Sequence, residues 1–381
     1  MAAYTIMISS FHRYGGGERV YAHILARHLA RLGHRPIVAC PRGSKLAEDC
    51  AAEGIEILDG FKFDGGFTPR SFFHDISLAK RIMKQNGIDL FHVNGSRDHW
   101  VMGMANLFLD KKTPVVRTRH NTKPVKNNIL NKFLNRRLTD RTISVCQYVK
   151  DMLSDSPVFK NHEISVIHNG VELENFSPAP RNTKILDEFG IPPESLVIGI
   201  IGRLDWDKGH KYLFEAVVPL IKNEFPDLRV VAVGFGKKRR KLEQMCEELG
   251  IASNVVFAGK RDDVREIISI LDMGVQPSIG IDTSSYAIKE MMAMEKPLVC
   301  SSYGGLKEIN EDGVTGFVVP PKDSDSLRER IAELCRSREL REKMGKAARK
   351  KVEQEFTSQI SVMETLKIYQ RAIENFDKKA G

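Results

Sequence analysis

The sequence has no apolar run near the roughly 18 residues that a membrane-crossing helix needs, so a helical integral membrane protein is excluded. Its six cysteines (Cys40, Cys50, Cys146, Cys246, Cys300 and Cys335) are scattered without CxxC spacing. That scatter argues against a disulfide framework and a zinc site, and it fits a reducing, cytoplasmic setting. MAAYTIMISS at the start lacks a basic segment and a cleavage site, so it is read as a first strand and no signal peptide is expected. No His/Cys cluster stands at a strand end, and neither a metal cage nor a bound cofactor is expected. There is no Ser-His-Asp or Cys-His constellation, no short-period repeat and no low-complexity tract.

What is present is a globular chain of 381 residues, 42% hydrophobic and 28% charged, long enough for two domains and sometimes three. The 58 basic residues outnumber the 49 acidic ones, giving a net charge of +9. An anionic partner follows: nucleic acid, a membrane surface or a phosphorylated substrate. Short apolar runs alternate with amphipathic stretches to the end, the pattern of parallel sheets covered by helices, an α/β class. Strands are expected at 5–9, 35–39, 88–93, 115–118, 197–201, 229–233, 255–257 and 273–275, and the apolar run 297–300 continues the alternation. Helices are expected through about Leu32, from about Ser71 to Asn86, over Lys208–Ile221 and Lys237–Leu249, and in the tail from about Leu327. Asn169-Gly170 and the prolines Pro178 and Pro180 mark a hinge near residues 167–172.

The informative stretch runs from Pro277 to Asp323. Asp282 and Glu290 lie eight positions apart, separated by Thr283, Ser284 and Ser285 where a helix should begin. The exposed N–H groups of such a helix end suit a phosphate. Carboxylates so close would repel the phosphate, so they are assigned to sugar hydroxyls. A second cluster, Gly202-Arg203-Leu204-Asp205-Trp206-Asp207-Lys208-Gly209, follows a strand at the edge where open α/β sheets bind ligands. Arg203 can grip two phosphate oxygens and Lys208 adds a mobile charge; the bland alternative is a surface ion pair with Asp205 or Asp207. Gly15-Gly16-Gly17 after the first strand either lets backbone approach a diphosphate or is a plain turn.

Residues 117–141 form the most basic region, with Arg117, Arg119, Lys123, Lys126, Lys132, Arg136, Arg137 and Arg141 against Asp140. Ile129, Leu130, Phe133, Leu134 and Leu138 fall on one helical stripe within it. Such a helix either lies on an anionic membrane or contacts a phosphorylated acceptor, or it packs on the core with a solvated basic face. The run Lys237-Lys238-Arg239-Arg240-Lys241 lacks interleaved aromatics and any nucleic-acid-binding motif, so no nucleic-acid partner is expected.

Lys289-Glu290-Met291-Met292-Ala293, Lys296-Pro297-Leu298-Val299 and Gly304-Gly305-Leu306-Lys307-Glu308 resemble the signature of the retaining glycosyltransferases of family 4. Gly202–Gly209 matches the same family's G-R-L-x-x-x-K-G. Two departures stand out: Asp282 occurs where glutamate is usual, and Thr283-Ser284-Ser285 replaces Gly-Phe-Gly. The resemblance implies the GT-B fold, two Rossmann-like doubly wound domains facing across a cleft. An acceptor-binding domain would span 1–172 and a nucleotide-sugar-binding domain 173–356, with a last helix, 357–381, returning to the first. It implies a nucleotide sugar (UDP-, GDP- or ADP-linked) and a glycan or lipid-linked acceptor as partners. It also implies transfer with retention and without a metal, and a position in the cytoplasm or on the inner face of a membrane.

In roles, the resemblance implies that Arg203 and Lys208 stabilise the leaving diphosphate. Glu290 would bind the ribose, Asp282 the donor sugar, and His120 would position a hydroxyl. Ser284, Ser285 and Tyr286 would offer N–H groups, with Gly16, Gly17, Gly234 and Lys237 near the phosphates. Arg119, Lys123, Lys126, Lys132, Arg136 and Arg137 are assigned to the acceptor or a membrane. A nucleotide-sugar epimerase or hydrolase, and a donor-binding protein without activity, remain the alternatives.

Overall fold

The structure, a computed structural model, describes residues 3–12, 16–63, 68–109 and 112–380. The chain divides into two compact units, 1–170 with 358–381, and 171–357. Each is built on one sheet whose strand pairs are all parallel.

In the first unit the strands are β1 Thr5–Ser9, β2 Arg35–Pro41, β3 Glu56–Phe61, β4 Leu90–Val93, β5 Val115–Arg119, β6 Arg141–Ser144 and β7 Ile164–Val166. Their order across the sheet is β3-β2-β1-β4-β5-β6-β7. In the second they are β8 Val197–Ile201, β9 Arg229–Val233, β10 Val255–Gly259, β11 Met273–Gln276, β12 Leu298–Ser301 and β13 Gly316–Val319, in the order β10-β9-β8-β11-β12-β13. In both sheets the direction of winding reverses beside the first strand, between β1 and β4 and between β8 and β11. Loops at the carboxyl ends of those neighbours diverge and leave a crevice, the place where doubly wound sheets take ligands.

The strands are buried on both faces, as a parallel sheet covered by helices requires. Ile6, Ile8, Val38 and Val93 in the first unit, and Ile198, Ile200, Val230 and Val299 in the second, have no exposed surface. Four strands escaped the sequence reading: β3, β6, β7 and β13. β3 and β6 carry Glu56, Asp59, Arg141 and Ser144, β13 opens on glycine and β7 has only three residues, so no long apolar run marks them. Helix starts moved by one to three residues. The helix expected from Lys208 opens with a short 3-10 turn, Trp206–Lys208, and the α-helix proper is His210–Asn223.

Ser358–Ala380 is a 23-residue helix that belongs to the first unit. Tyr369 anchors it: the ring is fully buried, lies edge-on to His92 at 5.5 Å, and its hydroxyl meets His92 Nδ1. His92 Nε2 in turn bonds Thr118 Oγ1 at 2.7 Å, so the helix is tied through one histidine to β4 and β5. None of the described helices is long and apolar enough to cross a membrane.

Removing this anchor has a definite cost. Tyr369→Ala leaves a ring-sized cavity and an unpaired His92, and it is expected to lower stability by about 3–5 kcal/mol in denaturant unfolding. A loss under about 1 kcal/mol would mean the final helix is held some other way.

Candidate active site

Four loops meet beside the switch point of the second sheet. Residues 202–209 leave β8, 234–238 leave β9, 277–285 leave β11, and 302–305 leave β12. Glycine permits this convergence because the backbones touch. A Cβ on Gly209 would lie 1.9 Å from the Pro277 carbonyl oxygen, one on Gly234 1.9 Å from that of Gly202, and one on Gly304 2.0 Å from that of Asp282. All three also have positive φ, which L side chains rarely adopt.

Lys208 and Asp282 meet at the centre of this cluster. Lys208 Nζ donates to Asp282 Oδ2 at 2.9 Å and to the Ile281 carbonyl at 3.1 Å. The same Oδ2 accepts from Ser278 Oγ at 2.7 Å and Gln276 Nε2 at 3.3 Å. Asp282 is buried, as are Ser278 and Gln276. Ile281, just before it, sits at φ 38, a costly conformation for a β-branched residue. Such strain, of the order of 1–3 kcal/mol, is characteristic of functional loops.

Arg203 is half-exposed and its guanidinium pairs with Asp207 Oδ2 at 2.8 Å, with Asp205 at 3.8 Å. This is the ion pair named above as the bland alternative. It nonetheless keeps Arg203 in the cluster, because the Asp207 carbonyl accepts from Ile279 and Gly280 N–H. Lys208 also runs alongside Gly202, its Cγ and Cδ 3.8 Å from where a Cβ would sit.

The helix following Asp282 is Tyr286–Ala293, with Ser285 at its N-cap and no capping bond from the Ser285 side chain. Its first N–H groups point out of the end nearest Asp282. Ser284 is buried and accepts from Lys289 Nζ, one turn on, and the Lys289 ammonium lies 4.9 Å from the Phe356 ring centre. Lys289 is wholly buried. The hydroxyl turn that replaces glycines is therefore braced from below rather than loose. Glu290 lies on the first turns of the same helix, and burial alone raises its carboxyl to about 7. Lys237 is exposed in the turn ahead of the Arg239–Leu249 helix, where a helix start had been expected.

The first unit carries a second cluster at the carboxyl ends of β1, β4 and β5. His120 Nε2 bonds Asn94 Oδ1 at 2.9 Å, and its ring lies edge-on to Tyr21 at 4.9 Å. Burial pushes His120 down to about 4, so it is a neutral imidazole at pH 7. Glu18, on the first turn of the Gly17–Arg31 helix, accepts from Ser10 Oγ at 3.3 Å and pairs with His12 Nε2 at 3.1 Å. Burial is the largest influence on Glu18 and opposes its charge, but the bond from His12, the charges of His120 and His12 and the bond from Ser10 together outweigh it and hold the carboxyl below its ordinary value. Gly16, at φ 101, is the N-cap, and Gly17 opens the helix; Gly15 lies outside the described residues.

Sequence reasoning missed Glu18, Asn94, Gln276 and Ser278. Glu18 alone had a local signal, its place directly after three glycines ahead of a helix.

The basic region is divided by the fold. Arg117 is buried and donates to His99 Nδ1 at 2.7 Å and Asn135 Oδ1 at 3.3 Å. Arg119 is buried with Nη2 on the Lys123 carbonyl, and Arg136 is committed to the carbonyls of Pro157 and Val158. The assignment of Arg119 to an acceptor or membrane is therefore corrected, whereas Arg136, though bonded to those carbonyls, is exposed, as are Lys123, Lys126 and Arg137, and Lys132 is half-exposed. The apolar stripe is divided between core and solvent. The helix is Ile129–Arg137, and only Leu134 and Leu138 reach the core, while Ile129, Leu130 and Phe133 face solvent. Among the described residues no three His, Cys, Asp or Glu side chains gather as metal ligands.

Two family models match the chain, Glycosyltransferase Family 4 over residues 14–175 and Glycosyl transferases group 1 over residues 182–351. An uncharacterized glycosyltransferase of Methanocaldococcus jannaschii, MJ1607, is 26% identical over 380 residues, covering 94% of this chain and 95% of that protein. Two solved structures share the fold. A glycosyltransferase from Rickettsia africae has a TM-score of 0.86 at 23% identity over 98% of this chain and 100% of its own. Anabaena HepE, in complex with UDP and glucose, has a TM-score of 0.80 at 18% identity over 96% and 99%.

The raised pKa of Glu290 makes a prediction about pH. Its folded pKa lies above the unfolded value, so the unfolded chain releases this proton first. Its contribution to stability is fully present below about 4.5 and is lost as pH rises to about 7. Stability measured across this window should fall more steeply in the unliganded wild type than in Glu290→Gln. Parallel profiles would show that Glu290 is not desolvated.

Proposed function

Since the chain belongs to the family 4 glycosyltransferases, we propose that it moves a sugar, with retention of anomeric configuration, from a nucleoside diphosphate to a hydroxyl of a glycan or lipid-linked acceptor. The setting is lipopolysaccharide or cell-surface polysaccharide synthesis at the cytoplasmic face of a membrane. The observation that carries this reading is the Lys208–Asp282 pair at the switch point of the second sheet.

A diphosphate is a stronger partner for an ammonium than one carboxylate that already has two other donors. On donor binding Lys208 turns to the phosphates, beside the N–H groups of residues 284–286 and the guanidinium of Arg203. Asp282, still held by Ser278 and Gln276, then accepts from hydroxyls of the donor sugar. Glu290 accepts from the ribose, and Phe235, exposed beside Gly234, offers a ring face to the base. UDP is the nucleotide favoured first, because HepE binds UDP.

As the bond from the anomeric carbon to the diphosphate breaks, negative charge grows on the leaving oxygens. Lys208, Arg203 and the helix end oppose that charge without a metal ion. The acceptor oxygen bonds to the same face of the sugar and its proton passes to the departing phosphate. Asp282, held by Ser278 and Gln276 and occupied with the sugar's hydroxyls, is read as a binding group rather than a covalent nucleophile. His120, neutral and fixed by Asn94, offers a hydrogen bond to a hydroxyl rather than a charge. Lys123, Lys126, Lys132 and Arg137 remain for a phosphorylated acceptor or an anionic surface.

The test is release of UDP, GDP or ADP from a panel of sugar nucleotides, with and without acceptor. Acceptor-dependent release identifies the transferase, whereas binding without release identifies a donor-binding protein. Lys208→Ala should lower turnover by roughly 10²–10³-fold, with melting followed so that lost activity is not lost fold. A near-normal rate would remove Lys208 from the mechanism.

A further inference from the structure

The first unit shows a groove that none of this chemistry uses. It lies between the helices Pro69–Asn86 and Ser96–Leu107, open to solvent, with a volume of about 590 Å³. Phe73, Ser77, Lys80 and Lys84 recur along one face of the first helix at intervals of three to four, and Met104 and Phe108 face them from the second. Phe73 is 67% exposed and Phe108 57%. Lys80 Nζ lies 5.1 Å from the Phe108 ring centre. With Arg81 and Lys84 it makes a cationic side to an apolar channel, and among the described residues no acidic side chain lines it.

A second, separate feature shares this layer. The crossovers from β3 to β4, β4 to β5 and β5 to β6 all run the same way along the sheet, so right-handed connections put their three helices on one face. Contact agrees: a Cβ on Gly103 of the middle helix would lie 3.3 Å from Leu138 Cβ and 3.4 Å from Leu134 Cδ1. The third helix, Ile129–Arg137, begins with Ile129 81% and Leu130 62% exposed, next to exposed Lys126. Thus one face of one unit holds two groups of large apolar side chains in water, each flanked by cations.

Charge decides what covers them. A second copy would bring Lys80, Arg81 and Lys84 against the same cations across a two-fold axis, and like charges there repel. A surface with hydrocarbon beneath anionic headgroups meets both demands.

We propose that the face formed by the 69–86, 96–107 and 129–137 helices docks on an anionic phospholipid bilayer. One acyl chain occupies the groove, headgroup phosphates meet Lys80, Arg81 and Lys84, and Ile129 and Leu130 enter the interface. The proposal gives the membrane setting of the proposed function a surface, but it does not depend on the transfer chemistry.

The experiment is flotation of the full chain with phosphatidylcholine vesicles, with and without phosphatidylglycerol, at two salt concentrations. The wild type should float only with phosphatidylglycerol, and less at high salt. Phe73→Ser/Phe108→Ser and Ile129→Ser/Leu130→Ser should each weaken binding about tenfold or more while melting and UDP binding stay as in the wild type. Absence of flotation, flotation that salt leaves unchanged, or variants that float like the wild type would overturn the proposal. So would a wild-type dimer that Phe73→Ser/Phe108→Ser dissociates. Failure to bind any nucleotide, with flotation intact, would count against the transferase reading alone.

Discussion

A lysine and an aspartate facing each other at the end of two adjacent strands set the terms for the second unit. Lys208 and Asp282 are both largely withdrawn from water, and neither charge is tolerable there without the other. Removing one partner of a buried pair typically costs 3–5 kcal/mol. The pair therefore holds the loops after β8 and β11 together, and Ser278 and Gln276 orient the carboxylate from the β11 side. A pair used only for stability would be a poor choice, since apolar side chains of equal volume do as well. What it supplies is an ammonium and a carboxylate already ordered at the crevice, which a diphosphate and a hydroxyl can separate at little reorganisation cost.

The surrounding backbone serves that pair. Gly304 lets the turn after β12 close on the Asp282 carbonyl, Gly209 lets the 3-10 turn holding Lys208 close on Pro277, and Gly234 lets the loop after β9 reach Gly202. Asp207 bridges the cluster, taking Arg203 on its side chain and two N–H groups on its carbonyl. The first unit is built by the same rule at its own switch point. Glu18, His12 and His120 gather where β1, β4 and β5 end, and His92 beneath them binds the final helix.

Much of this was legible in the residues themselves. Glycines stand where backbones touch, cations follow β8, and a carboxylate precedes a helix whose N–H groups are open, so local composition carried the chemistry. The alternation of apolar runs likewise announced two parallel sheets. Less legible was whom each charge meets. Lys208 and Asp282 are 74 positions apart, and nothing local to either tells that they bond. Arg117 and Arg119 looked like members of a basic surface because a β-strand hides the direction of its side chains until its neighbours are known. The Ile129–Leu138 stripe left core and surface open for a related reason. Helical spacing says which residues share a face, but only packing on Gly103 says how much of that face is covered.

The account stands on the position of the diphosphate. A crystal structure with UDP bound would place it, and the prediction is direct: phosphate oxygens within hydrogen-bond distance of Lys208 Nζ and of the N–H groups at residues 284–286. Lys208 would have left Asp282 to reach them. A nucleotide bound elsewhere, with the Lys208–Asp282 pair intact, would contradict the assignment of the site.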